Sequence, residues 1–475
     1  MPVNFLVIGI HVLKMRKIEW KHFYRGFCAF LFISLSTGIF SFCWIDFVRE
    51  NNQTGHLLGL GNIAMAILLY AGIFLFIGKM IGAFRIGGGE RKSAVMASEV
   101  LTALVVNVIE IFLSMAITGQ FRFFFDFLKI YAFLFVVQTL LLSLLVIPMI
   151  NIYRKLFPPQ GLLEIYGDKA NNVSEKMNGM TYKYHIVDRL HYSVGIEEIK
   201  KHIDSVDAVL VSDIPSHEKN LILKHCVQLD KRVYFIPKIS DVIVRYSEGL
   251  NLIDTPLFLR RRIGLGFAES IIKRVFDIVM SIFALIVTSP IFLVTAIAIK
   301  IEDGGPVFFK QERATLGGKS FMIIKFRSMI VDAEKDGRPH PATEKDDRIT
   351  KVGRIIRSVR IDELPQFINI LKGEMSIVGP RPERCEHVKK YTEMIEEFTL
   401  RTKVKGGLTG YAQVYGKYNT TALDKLKMDI IYIMNFSLLL DLQIIFETIK
   451  ILFRKEKTEG FSEERAREMR ESEAE

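Results

Sequence analysis

The chain has 475 residues, is 50% hydrophobic and 24% charged, and carries a formal net charge of +11. That is too apolar for an ordinary soluble protein and too charged for a pure membrane bundle, so a mixed architecture is expected, with enough chain left over for two soluble domains. Beside long apolar segments, the positive charge points to anionic lipid and phosphorylated substrates rather than nucleic acid. Cys28, Cys43, Cys226 and Cys385 are scattered and form no CxxC pair, which implies neither a disulfide framework nor a zinc site and makes the soluble parts read as cytosolic. The first apolar run starts late and ends in no small-residue cleavage site, so no cleavable signal peptide is expected.

Four segments, residues 26–48, 57–81, 94–118 and 130–150, are long enough to span a bilayer as helices and predict a four-helix transmembrane bundle over 1–155. Lys14, Arg16, Lys17, Lys21 and Arg25 precede the first. Lys79, Arg85, Arg91 and Lys92 lie between the second and third, and Arg154 and Lys155 follow the fourth. The alternate loops hold Arg49 and Arg122. The positive-inside rule therefore puts both ends of this bundle, and all that follows, in the cytoplasm. Glu110 and Gln138 lie deep in the third and fourth segments; each reads either as a functional site or as a helix–helix hydrogen bond.

Residues 160–250 change character. Short apolar runs at 162–166, 184–187, 208–211 and 233–236, with a helical stretch at 217–228, predict a small α/β domain with a parallel sheet. Gly167-Asp168 stands where a nucleotide-binding turn would be, but Lys169-Ala170-Asn171-Asn172 follows instead of G-x-G-x-x-G. A degenerate Rossmann-like domain that binds no cofactor is expected. Residues 251–271, with Arg260-Arg261-Arg262, read as a linker, either lying against anionic lipid or as a solvated charge run.

A fifth apolar segment, 275–300, has Lys273 and Arg274 before it, Lys300 and Lys310 after it, and Ser289-Pro290 near its middle. Pro290 removes a backbone donor and clashes with the preceding turn, and Ser289 can bond a freed carbonyl. The symmetric basic flanks allow a helix that enters the inner leaflet and returns, or a kinked helix that spans.

Beyond Lys300 polar motifs crowd together. Strands are expected at 307–309 and 321–326, the second delivering Lys325 and Arg327. A polar stretch through Asp332, Asp336 and Asp346-Asp347-Arg348 leads to a short helical segment with Arg354 and Arg357, then to Asp362-Glu363. Leu364, Phe367, Ile368 and Leu371 share a helical face, Pro365 suits a first turn and Asp is a favoured N-cap, so Asp362 is expected at a helix N-terminus where the dipole favours its ionised form. Such a carboxylate suits nucleophilic attack on phosphorus and suits magnesium. Arg357 and Arg381 could neutralise a transferring phosphoryl group. An isolated Asp-Glu pair is ordinarily a helix cap; here basic residues and the Pro380-Arg381-Pro382 corner cluster around it in sequence.

Ile272-Lys273-Arg274-Val275-Phe276-Asp277, Ser289-Pro290, Lys325-Phe326-Arg327-Ser328-Met329, Asp362-Glu363-Leu364-Pro365-Gln366 and Val378-Gly379-Pro380-Arg381-Pro382 together resemble the bacterial sugar transferase family, the monotopic polyprenyl-phosphate phosphoglycosyl transferases. The resemblance covers 272–454, and the whole layout is similar to the long form with four membrane helices and a Rossmann-like domain. It implies an α plus α/β membrane protein: a transmembrane bundle, a small Rossmann-like domain, a re-entrant helix at 275–300 hinged at Ser289 and Pro290, and an α/β catalytic domain with interfacial helices.

The resemblance also implies transfer of sugar-1-phosphate from a nucleoside-diphosphate sugar, most simply a UDP-sugar, to polyprenyl (undecaprenyl) phosphate. The products are a polyprenyl-diphosphate sugar and UMP, in the first membrane step of exopolysaccharide or capsule synthesis at a bacterial inner membrane. It makes Asp362 the nucleophile of a ping-pong cycle with a covalent phosphosugar intermediate, Glu363 the second member of the dyad, and Mg2+ the ion on both. It puts Arg381 in the nucleotide and phosphate pocket, and Lys325, Arg327, Arg357, Pro380, Pro382 and Gln413 are expected to join it in substrate or phosphate binding. Partners are then the two substrates and the bilayer, with no nucleic acid; the sequence leaves a homo-oligomer open. The rival readings are a metal-dependent membrane phosphodiesterase or pyrophosphatase and a non-catalytic scaffold.

Departures from the family pattern are Asp347 in Asp346-Asp347-Arg348, where proline is usual, Gly406 where proline opens the Gly406-Gly407-Leu408-Thr409-Gly410 loop, and Lys417 where arginine often ends the motif beginning Ala412-Gln413-Val414. Residues 436–453 are amphipathic and read either as an interfacial helix or as one packed on its own domain. The charged tail, 455–475, is expected to be disordered or frayed.

Overall fold

The structure, a computed structural model, describes residues 3–51, 59–87, 90–118, 124–168, 173–331, 333, 346–416 and 420–452. The chain divides into two compact units, Met1–Ile236 and Pro237–Glu475. The charged tail, Asp332, Asp336, Lys417 and the 169–172 loop lie outside the described residues.

The first unit holds α1 (Val3–Asn51), α2 (Leu60–Ile81), α3 (Lys92–Thr118) and α4 (Phe124–Leu156); α1, α3 and α4 extend beyond the apolar segments that predict them, because helical hydrogen bonding continues into the polar flanks, while α2 starts within its segment. All four are long and apolar enough to cross a membrane. α1 contacts α2 and α4, α2 contacts α3, and α3 contacts α4, so the four close a ring. Gln138 ties that ring together from its interior. Its Nε2 donates to Tyr70 Oη at 2.6 Å and to Ser36 Oγ at 2.8 Å, and Asn107 Nδ2 donates to its Oε1 at 3.0 Å. One buried amide thus joins all four helices, the helix–helix reading of this residue.

The rest of this unit alternates strand and helix: β1 (Gln160–Tyr166), α5 (Val173–Asn178), β2 (Tyr184–His191), α6 (Ile196–Ser205), β3 (Ala208–Ser212), α7 (Ser216–Gln228) and β4 (Arg232–Phe235). The strands form a wholly parallel sheet in the order β2-β1-β3-β4. Leu163, Ile165, Val209 and Val211 pack on one face against Ile199, Ile203 and Ile222, while Leu162, Ala208 and Leu210 meet Met177 on the other. Both faces of β3 are therefore apolar, as a covered parallel sheet requires. A ligand crevice in such a sheet opens where adjacent strands send their connections opposite ways, here between β1 and β3. At that point Gly167 N donates to Ser212 O at 3.1 Å, which carries the parallel ladder one residue past β1.

The second unit begins earlier than the sequence reading places it. Residues 237–250, read as part of the middle domain, and 251–271, read as a linker, both fall within it. The reason is packing: α8 (Ile239–Arg245) buries Val242 against Phe398, Leu426 and Ile430. A hairpin of β5 (Glu248–Leu252) and β6 (Thr255–Leu259) follows, then α9 (Phe267–Asp303). The antiparallel pair β7 (Phe308–Ala314) and β8 (Ser320–Phe326) leads to α10 (Lys351–Ser358), α11 (Gln366–Lys372) and β9 (Ser376–Val378). After α12 (Cys385–Met394) and a 3-10 segment (Glu396–Lys403) come β10 (Gly407–Thr409), parallel to β9, and α13 (Tyr411–Tyr415), α14 (Ala422–Met434) and α15 (Leu438–Leu452). Ile370, Ile377, Val378, Tyr432, Ile444 and Ile451 share one core. α15 supplies Ile444 and Ile451, so it packs on its own unit.

α9 is fastened at both ends. Near its start Lys273 Nζ donates to Asp441 at 2.6 Å, the Arg274 guanidinium donates to the carbonyls of Ile370 and Leu371, and Asp277 accepts from Ser376 Oγ and Ile377 N. Near its end Ile299 is buried against Phe326 and Ile356, and Glu302 accepts from Lys351 N at 2.7 Å. Between these anchors Phe283, Ile286, Val287, Leu293 and Val294 are exposed. Ser289 and Pro290 lie in that exposed stretch, where Ser289 Oγ donates to Ile286 O.

Lys273 and Asp441 are both buried, so removing one partner strands the other charge. Lys273→Met is expected to cost about 3–5 kcal/mol, read as a lower thermal unfolding midpoint in detergent. The double variant Lys273→Met/Asp441→Leu recovers most of the loss, since the Tyr432 hydroxyl keeps the Val378 carbonyl as an acceptor.

Candidate active site

Arg360 adopts a left-handed backbone, φ 56° and ψ 25°, an uncommon state for a residue with a Cβ. It turns the chain out of α10 into a 3-10 turn, Ile361–Glu363, which carries the carboxylate pair. Here the structure corrects the sequence reading. α11 starts at Gln366 with Pro365 at its N-cap, so Asp362 sits a turn ahead of the helix and does not cap it. Asp362 lies instead in the first turn of the 3-10 segment and makes no side-chain capping bond there. Burial first, then the charge of Glu363, raise its carboxyl above the ordinary aspartate range, although Lys325, Arg357 and Arg360 pull the other way.

Glu363 is the more constrained of the two, at 9% exposure. Lys325 Nζ donates to its Oε1 at 3.2 Å and Arg381 Nη2 donates to the same oxygen at 3.1 Å. Arg360 Nη1 lies 3.7 Å from Oε2. Burial alone would raise this carboxyl, but Lys325, Arg381 and Arg360 more than offset it and hold Glu363 well below the usual glutamate range. Burial lowers the Lys325 ammonium in turn. Asp362 accepts no hydrogen bond from any described residue in the structure, so its oxygens stay open.

Arg381 reaches the cluster from a corner built on close backbone contact. β9 and β10 pair through Gly407–Ser376 and Thr409–Val378. Beyond the pair, Gly379 N donates to Thr409 O at 2.8 Å and Gly407 N to Pro380 O at 2.9 Å. A Cβ on Gly407 would lie 2.1 Å from Gly379 N, so only glycine permits this approach. Gly406, one of the departures from the family pattern, likewise lets Pro382 close in: a Cβ there would be 2.5 Å from the proline ring. Behind the corner, buried Arg401 donates through Nε to Asp429 at 2.7 Å and through Nη2 to the Arg381 carbonyl at 3.2 Å. A small cavity of about 20 Å³ is lined there by Pro380, Arg381, Pro382, Glu383, Arg401 and Gly406, among others. On its outer side Arg381 Nη1 donates to Gln413 Oε1 at 3.2 Å, and Gln413 Nε2 is buried with no hydrogen-bond partner among the described residues.

The fold therefore brings together Asp362, Glu363, Lys325, Arg381 and Gln413, with Pro380 and Pro382 shaping the corner and Arg357 close enough to act on Asp362 electrostatically. Arg327 does not join them. Its guanidinium, 7% exposed, pairs with Asp303 at the end of α9. β8 ends at Phe326, so Arg327 escapes the alternation that would have set it beside Lys325. Sequence reasoning missed Arg360, although it stands two residues before Asp362. It also missed Arg401 and Asp429, which no local pattern connects. Among the described residues no group of three or more His, Cys, Asp or Glu could hold a metal.

An acidic pair held by fixed cations, on a unit tied to a long apolar helix, defines an α/β protein with a cation-lined acidic site and a helix long and apolar enough to enter a membrane. Comparison makes the class definite. The family described as Bacterial sugar transferase matches residues 268–455. Over 306 residues the chain is 42% identical to a UDP-glucose:undecaprenyl-phosphate glucose-1-phosphate transferase of Klebsiella pneumoniae, covering 63% of this chain and 60% of that protein. Over 260 residues it is 38% identical to a UDP-N-acetylgalactosamine-undecaprenyl-phosphate N-acetylgalactosaminephosphotransferase of Aeromonas hydrophila, covering 52% and 59%. Over 180 residues it is 42% identical to the uncharacterized sugar transferase EpsL of Bacillus subtilis (strain 168), covering 38% of this chain and 86% of that one. The chain belongs to the bacterial sugar transferase family. It spans about 60% of the length of the first two relatives.

Because the Gly407–Gly379 contact sets the Arg381 corner, Gly407→Ala is expected to force β9 and β10 apart at a cost of about 1–3 kcal/mol. Thermal unfolding of the purified variant checks this.

Proposed function

We propose that this protein transfers sugar-1-phosphate from a UDP-sugar to undecaprenyl phosphate, releasing UMP and forming an undecaprenyl-diphosphate sugar, with Asp362 as nucleophile. The observation that carries the reading is the division of labour in the carboxylate pair: Glu363 is saturated by cations, while Asp362 keeps open oxygens beside them. An Asp362 oxygen attacks the phosphorus that bears the sugar; the bond from that phosphorus to the UMP oxygen breaks, and UMP leaves with the electron pair. A phosphate oxygen of the lipid then attacks the same phosphorus and the aspartyl–phosphorus bond breaks, restoring Asp362. Lys325 and Arg381 are fixed before substrate arrives, so they stabilise charge on the transferring group without reorganising. Family membership and the relatives' names support the substrate classes.

The donor set fits magnesium, which takes one or two carboxylates together with substrate phosphates. Asp362 is the open ligand, and Glu363 joins only by sharing oxygens already bonded to Lys325 and Arg381. Bound there, the ion would neutralise charge on the diphosphate.

The setting we propose is a bacterial inner membrane, with α1–α4 as a four-helix transmembrane bundle and the catalytic unit on the cytoplasmic side, as the basic flanks favour. In the same reading α9 is re-entrant, bent at Ser289-Pro290. The two ends of α9 engage one short stretch of chain: Arg274 bonds to Ile370 and Leu371, and Ile299 packs with Ile361 and Leu364. A straight helix would separate Arg274 from Ile299 by about 37 Å, whereas the turns from Ile361 to Leu371 span at most about 20 Å. A bend in the exposed, apolar middle of α9 reconciles the two and would sink that middle into one leaflet.

Purified protein given radiolabelled donor without lipid is expected to retain labelled sugar phosphate, and Asp362→Asn to retain none; equal label on both proteins refutes the nucleophile. UMP release across a panel of UDP-sugars, with and without undecaprenyl phosphate, names the donor and separates transfer from hydrolysis. Asp362 must be ionised to attack and its folded pKa is raised, so kcat/KM should fall with acidification at a pH above the ordinary aspartate value of about 3.9. Lys325 lowers that pKa, so Lys325→Met should move the acid limb further up.

A further inference from the structure

We propose that the N-terminal helices bind a monovalent alkali cation in their interior, with Glu110 and Asn107 of α3 as its ligands. The two residues are one helical turn apart on the same face of α3 and are 2% and 3% exposed. Asn107 spends its Nδ2 on Gln138 Oε1, which leaves Oδ1 buried with no hydrogen-bond donor among the described residues. Glu110 Oε1 is buried in the same condition. The nearby donors are committed elsewhere: Gln138 Nε2 to Tyr70 and Ser36, Trp44 Nε1 to Ser114 Oγ at 2.9 Å, and Ser114 shares a hydrogen bond with Tyr131 Oη at 2.7 Å.

Two acceptors thus lie together without a donor, at a depth where an unmatched carboxylate is costly. No Lys or Arg is among the described buried residues of these four helices, so no basic side chain of theirs compensates from within. What the site lacks is positive charge. Its donor atoms are a carboxylate and an amide carbonyl, both hard oxygens, which select a hard cation over a soft one. One carboxylate balances one positive charge, which points to sodium or potassium. Glu99, also buried with both oxygens unpartnered, lies three turns away on the same face, about 16 Å along the helix, too far to share the ion.

The chain has two tryptophans, Trp20 and Trp44, so Trp20→Phe leaves Trp44 as the reporter one turn from Glu110 through Ser114. The full chain in lipid nanodiscs would be titrated with sodium or potassium chloride against choline chloride at constant ionic strength, following Trp44 fluorescence and the thermal unfolding midpoint. We expect a saturable response to an alkali cation that choline does not give, and a midpoint weakened at least tenfold in Trp20→Phe/Glu110→Gln. A Trp20→Phe protein that shows no alkali-specific change in either signal overturns the proposal without any appeal to the Glu110 variant. An unchanged midpoint in the folded Glu110→Gln protein overturns it as well.

Discussion

One buried carboxylate organises the catalytic unit. Glu363 cannot stay ionised at its depth without nearby positive charge, and three chain segments converge to supply it: β8 with Lys325, the left-handed turn with Arg360, and the β9–β10 corner with Arg381. Meeting that requirement also builds a site. The cations that hold Glu363 stand beside Asp362, whose oxygens remain open and whose carboxyl resists ionisation because it is buried and, next, because its neighbour is charged.

The membrane helix and the site are parts of one buried polar chain. Lys273 at the start of α9 bonds to Asp441 of α15, and the Tyr432 hydroxyl lies within hydrogen-bond distance of both Asp441 and the Val378 carbonyl. Val378 is the last residue of β9, directly before the corner that presents Arg381. Asp277, one turn further along α9, holds the amide of Ile377 in the same strand. The orientation of the apolar helix and the position of Arg381 are therefore fixed by the same short strand. Such coupling would set the site at a constant depth relative to the bilayer surface.

The first unit uses polar groups differently. Gln138 satisfies its amide by crossing to three other helices, a device for register among apolar surfaces that would otherwise slide. The parallel sheet after α4 runs in the order β2-β1-β3-β4, and Gly167 bonds back to the end of β3 at the switch point. Leu163, Ile165, Val209 and Val211 are covered by α6 and α7.

Periodicity and local chemistry were enough to place the long helices, the alternating strands of the first unit, the carboxylate pair and the Pro-Arg-Pro corner, because each is set by residues near one another in the chain. The same logic put Asp362 at the cap of the helix that begins at Gln366 and did not foresee the pairing of Arg327 with Asp303. Both points turn on where an element starts or stops, which the left-handed Arg360 and the end of β8 decide. The boundary at Ile236 moved for a similar reason: Val242 is claimed by a core whose other members lie some 150 residues or more downstream. Composition could announce a positively charged chain with long apolar segments. Only the folded chain could decide which cations meet which carboxylate, since burial creates the cost that makes those particular charges seek each other.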